Sequence, residues 1–194
     1  MIRGLLFKHV TGWDTIPADT NHTDPNRYAG VVTGAVVPVI LHPDEPGGDT
    51  QLRALYAAIG CDMIERVILD AQGDAAELYI DEEGLLRQAP PNRMWSYIMP
   101  DGDIAQGWYK ILGHAVAVGV DRARGVLRTP TLEEAHLALG LASEITDGPR
   151  DRVALRRWLE DGVPWVGAEV VEAGPRPSAD ARPIELYPTP RGRA

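Results

Sequence analysis

The sequence predicts an α+β domain: a small, mostly antiparallel sheet of four to six strands, with two or three helices packed on one face. Three observations predict it. Residues 63–69 and 77–80 read as short strands joined through the turn Asp70-Ala71-Gln72-Gly73-Asp74. Leu52, Leu55, Tyr56 and Ile59 recur at i, i+3, i+4 and i+7, one face of a helix. Short hairpin patterns prevail over the regular strand–helix alternation of a doubly wound sheet.

Residues 2–10 fit a strand or a short helix. Residues 14–28 are polar, hold Pro17 and Pro25, and read as a long loop. Residues 29–41 are rich in β-branched side chains and read as a buried strand. Pro38 cannot donate a ladder hydrogen bond, so that end is expected at an edge or a bulge. Asp49 or Thr50 is expected to cap the helix carrying Leu52 to Ile59, and Gly60 to end it. Asp81-Glu82-Glu83-Gly84 reads as a hairpin turn with Gly84 left-handed, and Leu85 and Leu86 as the start of the return strand. Asn92 is a candidate cap for a short helix over residues 94–98.

Residues 111–120 form the strongest strand signal, turning at 121–125 into a short strand, 126–128. Thr131 and Glu134 have capping-box spacing, opening a helix that reaches about Ser143. A last helix, 150–160, is expected to turn Val153, Trp158 and Leu155 inward and to stop at Gly162. Residues 165–171 read as an edge strand. The expected organisation is an N-terminal extension with a polar loop (1–34), a core domain (35–145), a C-terminal helix and edge strand (146–173), and a disordered Pro/Arg-rich tail (174–194).

The chain has 194 residues, 44% of them apolar, enough for one domain with a core. Its net charge of −9 is concentrated: residues 44–83 hold eleven acids against Arg53 and Arg66, and the rest of the chain is neutral in balance. Such a segment is a solvated face that maintains solubility, or a surface for a basic partner. Direct nucleic-acid binding is not expected, because phosphate contacts need Lys and Arg. No membrane-length apolar run or signal peptide is present, so a cytoplasmic location is expected. The one cysteine, Cys61, excludes an internal disulfide and a Cys-rich zinc site, and reads as a small half-buried hydrophobe, with a reactive thiol as the alternative.

No catalytic, cofactor or metal site is expected. The histidines His9, His22, His42, His114 and His136 form no metal-ligating helix pair. His22-Thr23-Asp24 fits a solvated turn, and His114 a core position. Walker, dinucleotide and G-x-S-x-G motifs are absent. The aromatic residues between Asn92 and Tyr109 are core, or a recognition surface, since Trp, Tyr and Arg are enriched at interface hot spots. Pro90, Pro91, Asn92, Arg93, Trp95 and Tyr97 are the candidate interaction surface.

Val36-Val37-Pro38, the helix from Leu52 to Gly60, Ile64-Glu65-Arg66-Val67, Asp81-Glu82-Glu83-Gly84-Leu85-Leu86, Pro90-Pro91-Asn92 and residues 111–119 together resemble the domain-of-unknown-function family 3846. The resemblance runs from about residue 35 to 139. It implies a small accessory protein of a phage or mobile element, and the GC-rich residue usage fits an actinobacterial setting. The leading expectation is a non-enzymatic protein that binds a host or defence protein. The alternatives are a small-ligand binder for a nucleotide signal, with Arg93, Trp95 and Tyr97 lining its pocket, and an enzyme with an unfamiliar site.

Overall fold

The computed structural model describes residues 1–11, 32–43, 49–71, 74–84, 86, 87, 89, 92, 111–142 and 145–174. The chain runs β1 (Ile2–Thr11), β2 (Val32–Leu41), α1 (Asp49–Ile59), β3 (Ile64–Ala71), β4 (Asp74–Asp81), β5 (Ala115–Asp121), β6 (Val126–Arg128), α2 (Leu132–Leu141), β7 (Ile145–Asp147), α3 (Arg152–Arg156), and β8 (Val171–Ala173). A π-helical turn, Arg157–Asp161, extends α3. This is the α+β class read from the sequence.

The main sheet path is β3-β4-β5-β1-β2-β7, with β6 paired to β5 and β8 to β2. The four interior pairings from β3 to β2 are antiparallel, whereas β7 and β8 run parallel to β2. The six strands of that path reach the top of the expected range, and β6 and β8 are three-residue additions. Residues 1–11, assigned above to an N-terminal extension, form the strand between β5 and β2 and carry core residues Leu5 and Phe7.

The helices do not share one face, which corrects the expectation. Leu5, Phe7, Val36, Leu78, Ile80, Ala115 and Ala117 pack with α2, α3 and Trp165. Leu6, Val39, Leu41, Tyr79, Val116 and Val118 pack with α1. Successive strand residues point to opposite faces, so α1 covers one side and α2 with α3 the other. The physical reason is that β1 and β5 are apolar at consecutive positions, leaving two faces to bury.

Helix α1 begins at Asp49, so both expected caps, Asp49 and Thr50, lie within it. Its buried face is Gln51, Ala54, Leu55, Ala58 and Ile59, while Leu52 is exposed. The inward stripe is thus one residue out of phase with the leucine pattern. Small alanines bring the helix close to the sheet, and Gln51 Oε1 accepts the Leu127 amide at 2.8 Å, tying α1 to β6. Gly60 ends the helix with φ 81°, as read from the sequence. Cys61 is fully buried.

Pro38 falls between two outer pairings of β2, with β7 at Gly34 and Ala35 and with β8 at Val39 to Leu41, and the ladder shifts register at Gly34 and Ala35. The capping box of α2 is present: the Glu134 amide donates to Thr131 Oγ1 and the Thr131 amide to Glu134 Oε2. In α3 and its π-helical turn, Leu155, Trp158 and Leu159 are buried. Val153 is exposed, against expectation. Gly162 closes the turn with φ 74°. Arg3 Nη1 donates to the terminal carbonyls of Leu159 and Glu160. Trp165 is a core residue rather than part of an edge strand; the strand there is β8.

The expected loop at 14–28, the helix over 94–98 and the tail beyond 174 lie outside the described residues, as do Trp13, Trp95 and Trp108. Among the described residues, no helix is long and apolar enough to cross a membrane.

Candidate functional site

Asp81, Gly84, Asn92 and the residues that lead into β5 converge at one end of the sheet. There Ile80 pairs with Ala115, Phe7 with Ala115, and Ile64 with Asp81. Thr11 and Val32, which flank residues 12–31, are register partners at this same end.

Asp81 ends β4 with its side chain almost wholly buried. Its Oδ1 accepts the Glu83 amide at 3.0 Å, closing an Asx-type turn. Its Oδ2 lies 3.5 Å from Arg87 Nη1, and Arg87 Nη2 donates to the Gly60 carbonyl at 2.8 Å. Arg87 thus clamps the turn after β4 to the end of α1. The turn is not the expected hairpin. Gly84 lies outside the left-handed region, where Gly60, Gly113, Gly125, Gly162 and Gly167 sit. Its requirement is space: a Cβ there would stand 2.8 Å from Leu112 Cβ. Leu86 begins no return strand; it is exposed in a turn, while Leu85 lies outside the described residues.

Burial raises the Asp81 carboxyl above its ordinary value, against the lowering pull of Arg87 and the Glu83 amide. The folded protein therefore holds that proton more tightly than the unfolded chain does. The stabilising contribution is fully present below the unfolded value of 3.8 and is lost as pH rises through the raised folded value. Asp81→Asn retains an acceptor for the Glu83 amide and removes the buried charge. Its thermal midpoint at neutral pH is expected above the wild type's, the difference closing as pH falls toward about 4. Thermal scans at the two pH values check this.

Asn92 is the one candidate-surface residue among those described, and it is fully buried. Its Nδ2 donates to the Phe7 carbonyl at 3.1 Å and the Gly113 carbonyl at 3.0 Å, joining β1 to the entry of β5. Its backbone amide donates to the Ile111 carbonyl at 2.8 Å. The two residues that flank 93–110 are therefore bonded to each other. Pro90, Pro91, Arg93, Trp95 and Tyr97 lie outside the described residues. The sequence suggests a capping or surface role for Asn92; a cap would use the side-chain oxygen as an acceptor, whereas here the amide nitrogen of the same short side chain donates twice and bridges two strands. His114, next to this neck, is buried as expected.

The acidic segment divides between surface and interior. Asp62, Glu65 and Glu82 are exposed, while Glu77 and Asp81 are buried. Glu77 accepts from the Tyr79 hydroxyl at 3.0 Å and lies 3.8 Å from both Arg66 and Arg122. Burial, reinforced by Glu77, pushes the Tyr79 hydroxyl well above its ordinary value, so it remains a donor. These two buried acids were invisible in a charge count, because spacing does not distinguish an inward carboxylate on a strand from an outward one. Among the described residues, no group of three or more His, Cys, Asp or Glu is arranged to hold a metal ion. A shallow depression of about 510 Å³ lies between the start of α2 and the α3 turn, lined by Thr131, Glu133, Arg156 and Glu160 among others.

The family model described as a domain of unknown function (DUF3846) matches residues 35–135, just over half the chain, and the chain belongs to that family. No curated protein and no solved structure matches the chain.

Proposed function

We propose that this member of the family is a non-enzymatic, cytoplasmic accessory protein of a phage or mobile element. It binds a host or defence protein through the segment that begins at Pro90 and carries Arg93, Trp95 and Tyr97. The observation that supports this reading is the anchoring of Asn92. A buried side chain bonded to two strands, and a backbone bond to Ile111, fix the base from which residues 93–110 depart. Binding groups gain from a rigid base, because less freedom is lost on association. Arg, Trp and Tyr are the residue types that most often dominate interface energies. The motif residues Asp81, Gly84 and Asn92 have structural work at this neck, which accounts for their presence without a reaction.

The test is capture of companions from a bacterial lysate by the tagged full chain at low and moderate salt, with the partner identified by mass spectrometry. Its binding is then measured for wild type and for the triple variant Arg93→Ala, Trp95→Ala, Tyr97→Ala. The variant is expected to keep the wild-type thermal midpoint and to lose at least about tenfold in affinity, since single hot spots of these types cost 2 kcal/mol or more. Full retention of the partner by the variant would overturn the assignment of the surface. A co-purifying small molecule lost in the variant would replace it with the ligand-binding reading.

A further inference from the structure

Strand β3 ends the sheet path, paired with β4 on one side; among the described residues no strand pairs its other side. It is eight residues long and contains no proline or glycine. Ile68 is 48% exposed, and Glu65 and Arg66 are exposed as well. A long, regular edge with an exposed apolar residue is a template for another strand, and natural proteins cover or disrupt such edges.

The sequence of β3 complements itself in one register. Two copies related by a two-fold axis normal to the sheet pair antiparallel, and residues directly opposite each other share a face. With the axis at Ile68, Ile68 meets Ile68, Val67 stands across from Leu69, and Arg66 stands across from Asp70 on both sides of the axis. Opposite charges directly across a ladder stabilise it, and like charges destabilise it. Centring on Val67 instead sets Arg66 against Ile68, and centring on Arg66 sets that arginine against itself. Arg66 also lies 3.8 Å from Glu77 of its own chain, which holds its guanidinium on this face. We infer that β3 pairs with β3 of a second copy, in antiparallel register centred on Ile68, to form a symmetric dimer with one continuous sheet. The pairing uses none of the residues bonded at the Asn92 neck.

The test is the solution mass of the full chain, by light scattering at micromolar concentration. Wild type is expected at twice the 21.1 kDa chain mass. Arg66→Asp sets Asp against Asp, and Asp70→Arg sets Arg against Arg; each alone is expected at the single-chain mass. An equimolar mixture of the two is expected to return to the double mass, because every Asp then faces an Arg across the joint. Ile68→Lys, at an exposed position, is a second disrupting variant, and far-UV circular dichroism confirms that each protein is folded. A wild-type monomer would overturn the inference. So would a dimer that none of these substitutions dissociates, or a mixture of folded variants that stays monomeric.

Discussion

Trp158→Ala is expected to remove a large part of the stability of the domain. Trp158 is fully buried at the start of the π-helical turn, in the cluster with Leu5, Phe7 and Leu155. Its Nε1 donates to the Gly4 carbonyl at 2.9 Å, so the side chain both fills the space between α3 and the sheet and satisfies a buried backbone acceptor. Truncating a buried tryptophan costs about 3–5 kcal/mol, against a total stability of about 5–15 kcal/mol for a typical domain. Trp158→Phe separates the two roles. It retains much of the ring and leaves the Gly4 carbonyl without its donor, for an expected loss of about 1–3 kcal/mol. Urea denaturation of the three proteins checks the order. Equal losses for Phe and Ala would mean that the hydrogen bond, and not packing, dominates at this site.

Asn92→Ala is expected to cost about 2–4 kcal/mol, because two buried carbonyls, at Phe7 and Gly113, lose their donor together. Asn92→Asp is the sharper probe. It preserves shape, yet sets a carboxylate against two carbonyl oxygens. That environment favours the neutral acid and raises its folded pKa. Stability of the Asp variant is therefore best retained below about pH 4 and falls as pH rises through the raised folded value. Denaturation at acidic and neutral pH is expected to show the Asp variant losing ground to wild type as the solution is neutralised. A pH-independent difference would mean that Asn92 is not held against those carbonyls.

Local chemistry was legible where neighbouring residues alone decide the structure. The capping box of Thr131 and Glu134, the helix stops at Gly60 and Gly162, and strands β3 and β4 follow from side chains a few positions apart. Legibility failed where the partner is distant in sequence. Leu52 was read as inward because leucine is apolar, but α1 lies against the sheet through Ala54 and Ala58, and Gln51 turns in to meet Leu127. Val153 gave way to Leu159 for a related reason: the π-helical turn presents Trp158 and Leu159 together. The unbroken apolar runs Leu5-Leu6-Phe7 and Ala115 to Val118 were the available signal that both sheet faces are covered. At the candidate site, the burial of Asn92 was not legible, because it depends on carbonyls 85 and 21 residues away.

The central claim is that partner binding is carried by the segment departing from the Asn92 neck. Hydrogen–deuterium exchange of the full chain, free and saturated with the captured companion, tests it most directly. The account requires new protection in peptides spanning residues 90–97, with exchange at the exposed acidic positions Asp62, Glu65 and Glu82 unchanged. Protection confined to residues 62–83, with 90–97 exchanging as in the free protein, would contradict it and move the interface to the acidic surface.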